Sequence, residues 1–318
     1  MRRPAPLRPA PGRTVPFLSA LAATALLLTA CGTEHDGAGN TGVGGSESPA
    51  RTQVDDPGKD GVRVTSLTLP SPSPSPTRSY SVSADSLPKD SGIVAAYEVV
   101  NKGTETLTYT VIITFMSADG GAMANQTVTV RDVGPGKTVR GTVRAGVLPL
   151  TTPRVTGAKV LEVTKVPSNE APAAAGTCPA SGIRVSADRG DAAMGLRVVG
   201  LHLDNCGTRD YSVDGYPVLE LLDDDLQHVD GIKILDGGGG IAPGGVNDKP
   251  AGPVTLKPGE SALATLVWRN TTQFGTAVNV PYVRVRAKAG AAPVIVTPNL
   301  DLGTTGKLGV TAWRAAED

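Results

Sequence analysis

From residue 80 to the C-terminus, apolar residues come in alternation with polar ones or in short β-branched runs, and turn signals interrupt them at roughly eight- to twelve-residue intervals. Ile93, Ala95, Tyr97 and Val99 occupy every second position and so share one face of a strand. The run 109–115 is β-branched, Asp119-Gly120-Gly121 supplies a turn, and 155–166 closes this block; 62–69 predicts a strand ahead of it. Strands resume at 183–185, 196–203, 218–222, 232–235, 262–268, 282–287, 294–297 and 308–313. In 282–287, Val283, Val285 and Ala287 point one way and Tyr282, Arg284 and Arg286 the other, the alternation of a half-buried strand. No segment after residue 31 sustains apolar residues at helical spacing behind a cap, so helices should be minor.

The pattern predicts an all-β chain with two Ig-like β-sandwich domains, 62–166 and 178–318, separated by an Ala/Pro/Ser/Glu-rich linker at 167–177. An internal echo relates the halves. Asn101-Lys102-Gly103-Thr104 and Gly134-Pro135-Gly136-Lys137 recur as Asn205-Cys206-Gly207-Thr208 and Lys257-Pro258-Gly259-Glu260. Each pair places turns between antiparallel strands, and the second half adds an acidic, glycine-rich excursion between its two turns. His202 alternates with Leu196 and Val198, which points to packing or hydrogen bonding within the sandwich; Trp268 and Trp313 are expected in the core.

Residues 1–30 have the layout of a secretory signal: Arg2, Arg3, Arg8 and Arg13 with no acid, then an apolar stretch over about 15–28, too short for the ~20 residues of a bilayer span. The run Leu28-Thr29-Ala30-Cys31 resembles the lipobox of bacterial lipoproteins, which implies cleavage before Cys31 and lipid on its sulfur. Such a protein is anchored to the membrane without spanning it. Residues 31–61 then read as the lipidated cysteine and a disordered tether, reaching about 30 Å as a flexible coil. A Ser/Pro run at 70–76 reads as a polyproline-II spacer.

The four early arginines leave 26 basic against 30 acidic residues in the remainder, a mildly acidic balance that argues against a nucleic-acid partner. With Cys31 lipidated, Cys178 and Cys206 remain in an exported chain and are expected to pair; two buried free thiols are the alternative.

The order Cys178, a strand, Asn205-Cys206-Gly207, Gly215-Tyr216-Pro217, Leu221-Leu222-Asp223, Leu256-Lys257-Pro258-Gly259-Glu260, Leu266-Val267-Trp268 and a last strand ending in Trp313 resembles the actinobacterial extracellular domain of unknown function 4232. The resemblance covers roughly 178–313 and implies a sandwich, a cysteine pair and secreted or lipid-anchored proteins without an agreed activity. Members more often carry the second cysteine shortly after the Asn-x-Gly turn, whereas Cys206 lies inside it.

No catalytic constellation emerges, and the chain reads as non-enzymatic. Gly136-Lys137-Thr138 has Arg131 where a phosphate loop needs glycine, Pro88 interrupts the Ser86-to-Lys89 spacing, and three histidines give little material for a triad. Asp223, Asp224, Asp225, His228, Asp230 and Asp236 crowd a short stretch, either as solvated turns at 223–226 and 230–231 or as oxygen ligands for a hard cation; calcium-loop spacing is absent, and neither a metal nor a cofactor is assigned. The loop 236–253 exceeds the usual connection length of ~4–6 residues. With the acidic turn it forms the expected partner surface: Asp223, Asp224, Asp225, Asp236, Asn247 and Asp248. The expected protein is a lipid-anchored binding or structural module on the extracytoplasmic face of an actinobacterial cell membrane. Its partners are the membrane, through Cys31, and an envelope protein or peptidoglycan-layer component. A small-ligand or divalent-metal sensing protein is the alternative.

Overall fold

The structure, a computed structural model, describes residues 50–70, 90–149, 152–244 and 250–316. The signal-like segment, Cys31, the tether up to residue 49, the Ser/Pro run from 71, Ser86 to Lys89, and Asn247 and Asp248 lie outside the described residues.

The described chain is all-β, as the alternation predicts. Its first sandwich contains β1 (Ala50–Gln53), β2 (Val62–Leu69), β3 (Val94–Val100), β4 (Leu107–Ser117), β5 (Ala122–Val133), β6 (Thr138–Arg144) and β7 (Val155–Pro167). The sheet β1-β2-β3-β6 faces the sheet β5-β4-β7, and residues of both enclose one core with Val64, Ala95, Val99, Val111, Ile113 and Phe115 at its centre. Ile93, Ala95, Tyr97 and Val99 are all buried, because the period of two sends each toward the facing sheet.

Residues 50–61 depart from the sequence reading, which gave them to the tether. Ala50–Gln53 pairs antiparallel with the end of β2, and Asp56 ties the following segment down by accepting hydrogen bonds from the main-chain N–H of Gly58, Val64 and Val160. Pattern reading misses them because their order comes from one carboxylate rather than from apolar alternation.

The second sandwich contains β8 (Ile183–Ala187), β9 (Asp191–Ala193), β10 (Leu196–Asn205), β11 (Tyr211–Asp214), β12 (Val218–Leu222), β13 (Lys233–Asp236), β14 (Pro253–Leu256), β15 (Ser261–Arg269), β16 (Val278–Val280), β17 (Tyr282–Arg286), β18 (Val294–Val296), β19 (Leu300–Gly303), β20 (Lys307–Val310) and β21 (Arg314–Ala315). One sheet runs β13-β20-β15-β10-β8, with β9 beside β10 and β21 beside β15; opposite it lie β12-β17-β18 and the pairs β11-β14 and β16-β19. Trp268 and Trp313 are in the core, the indole N–H of one donating to Asp301 and that of the other to the Ala287 carbonyl. β13 pairs with β20 in parallel, a long-range contact that no local pattern encodes.

The internal echo is a structural repeat. Asn101 and Asn205 are buried, and each side-chain amide donates two hydrogen bonds, Asn101 Nδ2 to the carbonyls of Glu105 and Val133 and Asn205 Nδ2 to those of Arg209 and Leu256. Each Oδ1 accepts the N–H two residues on, from Gly103 or Gly207. The main chains agree as well: Asn101 bonds Lys137 O and Gly136 N, and Asn205 bonds Glu260 O and Gly259 N. One asparagine thus knits three strand ends in each sandwich.

The linker is fastened at several points. The Glu170 carbonyl accepts from Ile295 N, its carboxylate accepts from Arg284 Nε at 2.6 Å, and Arg284 also reaches Glu220 at 2.8 Å. Val166 of β7 packs with Leu222, Tyr282 and Ile295 in a small apolar cluster between the sandwiches, and Lys165 N donates to the Tyr282 hydroxyl. Tyr282, on the outward face of its strand, is buried because the junction covers it. Burial raises the Tyr282 hydroxyl above its ordinary pKa, and the nearby carboxylates of Asp224, Asp60 and Glu162 push the same way.

Candidate functional site

The acidic stretch singled out by the sequence is a turn. Asp223 Oδ1 accepts from the main-chain N–H of Asp225 and Gln227, Leu226 N bonds Asp223 O, and Leu222 bridges to His228. Leu226 adopts φ of 60°, the left-handed position that closes this tight turn. Asp224 and Asp225 are exposed, and Asp236 ends β13 in solvent. Among the described residues, no group of three or more His, Cys, Asp or Glu side chains could hold a metal ion. Asp225, Leu226 and Gln227 do line a cleft of about 890 Å³ at the junction, together with Glu105, Glu170 and Arg284.

The first part of the excursion 236–253 has a fixed course. Ile241 and Ala242 are buried, their N–H groups both bond the Gly238 carbonyl, and Arg269 Nε donates to the Ile241 carbonyl. The Gly237 carbonyl lies so close to Gly309 that a Cβ there would sit 2.6 Å from it, so a side chain on β20 would displace the loop. This packing gives the glycine-rich stretch 237–242 its course.

His202 lies on the outer face of β10, with Nε2 3.6 Å from Asp188 Oδ2, while Val199, Leu201 and Leu203 face the core. Cys178 and Cys206 form a disulfide between the linker end and the Asn205 turn. Both cysteines are exposed, so the bridge acts as a clasp on the surface.

A concave site not anticipated from the sequence lies beside that clasp. A cavity of about 410 Å³ opens between the linker, the edge strand β8 and the turn joining β17 to β18. Its walls are largely small and apolar: Ala171 and Ala173 from the linker, Ile183 and Val185 from β8, and Ala291 and Val294 from the far side. Tyr211 and Lys288 supply its polar corner, where Lys288 Nζ stands 4.4 Å from the centre of the Tyr211 ring and donates to the Ser212 carbonyl at 2.7 Å. Burial raises the Tyr211 hydroxyl above its ordinary pKa. Arg184 also borders the cavity, but Asp204 holds its guanidinium at 2.7 Å. This volume falls in the range of small-molecule sites, ~300–1,000 Å³, which are typically mostly apolar with a few placed polar groups. Residues far apart in sequence build it, and only the alanine-rich stretch 287–292, Ala-Lys-Ala-Gly-Ala-Ala, hints at a small-walled concavity.

No curated protein and no solved structure matches the chain. Residues 178–314, the second sandwich from Cys178 onward, match the family model described as "Domain of unknown function (DUF4232)", so this part of the chain is similar to that domain.

Proposed function

We propose that this protein is a non-enzymatic binding protein of an actinobacterial cell envelope, held by lipid on Cys31 at the extracytoplasmic face of the membrane, with the linker-walled cavity of the second sandwich as its ligand site. The observation that carries the binding role is the cavity itself, an apolar concavity with one lysine and one tyrosine at its corner. Its position supports a stable receptor: the clasp fixes one end of the linker wall and the Arg284–Glu170 pair fixes the other. The lipobox-like run ending at Cys31 supports the address.

Two measurements test the two parts. Cys31→Ala moves the protein from the membrane fraction into precursor or medium, and unchanged membrane retention refutes the anchor. Thermal unfolding against fractionated envelope small molecules should show a saturable rise in midpoint that Ala173→Phe, which fills the cavity, removes. A ligand at ~100 times its dissociation constant adds about 2.7 kcal/mol. A shift that persists in Ala173→Phe places the ligand elsewhere and refutes this site.

A further inference from the structure

Charge is unevenly distributed around the linker-walled cavity. Among the described residues that line it none is Asp or Glu, while Arg184 and Lys288 bring two cations to its border. The Arg184 guanidinium is neutralised by the Asp204 carboxylate at 2.7 Å. Lys288 is exposed and has no carboxylate within ion-pair reach among the described residues. Its ammonium is held instead by the Ser212 carbonyl and by the face of Tyr211, 4.4 Å from the ring centre. Neither partner carries a formal charge, because burial raises the Tyr211 hydroxyl above its ordinary pKa and keeps it protonated near neutral pH. One uncompensated positive charge therefore stands at the corner of an otherwise apolar concavity.

The turn that carries this lysine is firmly placed. Ala291 N donates to the Lys288 carbonyl, and Arg286 Nη1 donates to the Ala291 carbonyl at 2.6 Å. Ala287, just before Lys288, is buried, and its carbonyl accepts from the Trp313 indole. With its backbone fixed and its ammonium already resting on Tyr211, Lys288 has lost in advance much of the rotamer freedom that gripping a ligand removes. One of its N–H groups serves Ser212, which leaves donors for a second acceptor. A singly charged acceptor balances the site, whereas a phosphate would bring further negative charge that nothing there offsets. Beyond that corner the walls are Ala171, Ala173, Ala291 and Val294, so the rest of a matching molecule is compact and apolar.

We infer that the cavity selects a small apolar carboxylate, its body against the alanine walls and its single negative charge on the Lys288 ammonium; this rests on the binding-site reading above. The apolar part supplies affinity by leaving water, and Lys288 supplies the preference for an anion over a neutral or cationic molecule of the same shape.

The test uses the full chain in micelles of an uncharged detergent, with ¹³C-labelled tyrosine rings and the Tyr211 signal assigned by its loss in Tyr211→Phe. The probes are adamantane-1-carboxylate, adamantane-1-methanol and adamantane-1-methylammonium, which share one compact apolar body and differ in charge. The carboxylate should shift the Tyr211 signal saturably. Loss of a probe into the micelles is the same for every variant, so the readout is the ratio of wild-type to variant affinity. Lys288→Met should weaken the carboxylate roughly tenfold and leave the alcohol unchanged, and Lys288→Arg should keep the preference for the carboxylate. A carboxylate unaffected by Lys288→Met, or weakened no more than the alcohol, overturns the inference. If in that case the alcohol still shifts Tyr211 in wild type and not in Ala173→Phe, the cavity is a binding site and anion selection is wrong. If no probe shifts Tyr211, or the shifts persist in Ala173→Phe, both readings fall.

Discussion

Removing the Asn205 side chain provides a direct measure of how much the repeated turn stabilises the second sandwich. Asn205→Ala deletes two hydrogen bonds donated to the carbonyls of Arg209 and Leu256, both 2.8 Å, and one accepted from Gly207 N at 3.2 Å. A neutral hydrogen bond contributes about 1 kcal/mol net, and a buried carbonyl left without a partner costs roughly 1–3 kcal/mol. The bond to the Leu256 carbonyl is buried while the other two are nearer solvent, so the loss should be about 3–4 kcal/mol. That is a large share of the ~5–15 kcal/mol of a typical domain. Asn205→Asp should cost more at neutral pH, because a carboxylate would face two carbonyl oxygens, and the gap between the two variants should narrow in acid. Urea unfolding followed by tryptophan fluorescence is selective here, since both tryptophans, Trp268 and Trp313, lie in the second sandwich. Asn101→Ala should cost a similar amount in the circular-dichroism transition of the first sandwich. A loss below 1 kcal/mol at Asn205, or an Asp variant as stable as wild type at pH 7, would refute the role given to this side chain.

Three further outcomes are expected. Cys206→Ser should lower second-sandwich stability by roughly 3–4 kcal/mol on the chain-entropy estimate for a closed loop of this length, read by the same fluorescence; an unchanged urea midpoint would remove the clasp from the stability account. Asp56→Ala frees the N–H groups of Gly58, Val64 and Val160 and should cost about 2–4 kcal/mol while opening 54–61 to proteolysis, whereas a protected segment would show that other contacts hold it. Burial alone would raise the Asp301 carboxyl, but hydrogen bonds from Trp268 Nε1 and Asn270 Nδ2 and the charge of Arg197 hold it below the ordinary carboxylate range. The stability this contributes is present above the unfolded value near ~4 and is lost as pH falls through the lower folded value. Urea midpoints between pH 7 and 2 should therefore fall less steeply in Asp301→Asn than in wild type, and identical slopes would refute the assignment.

The strands were legible because burial on one face imposes a period of two, and Val283, Val285 and Ala287 show that signal without interruption. The Asn turns were legible as a repeated motif, but their meaning was not: the acceptors Val133 and Leu256 are 32 and 51 residues away, and nothing in the local sequence names them. The same limit hid the parallel pairing of β13 with β20 and the order of 50–61. The acidic stretch at 223–226 was legible as a turn. Asp223 serves its own backbone, an ordinary use of aspartate in a turn, and composition alone does not separate that use from ligand binding. The cavity was invisible for another reason, since its walls come from the linker, β8 and the turn between β17 and β18, which only the fold brings together.

The two sandwiches face the same physical problem at the same strand. An uncovered edge offers unpaired N–H and C=O groups to any passing chain, and folds that leave one open restrict access to it. The first sandwich closes its edge with its own chain, through Lys59 and Asp56, and the residue after its turn asparagine is the unbridged Lys102. In the second, the residue after the asparagine is Cys206, bonded to Cys178, and the edge strand β8 is shielded, with Val185 buried. The protection that remains is steric and electrostatic: β8 is only five residues long, Arg184 is held by Asp204, and the linker walls leave a cavity rather than an open face. The clasp and the fastened linker thus cover an edge that would otherwise invite pairing, and losing the clasp should loosen that cover together with the stability it supplies.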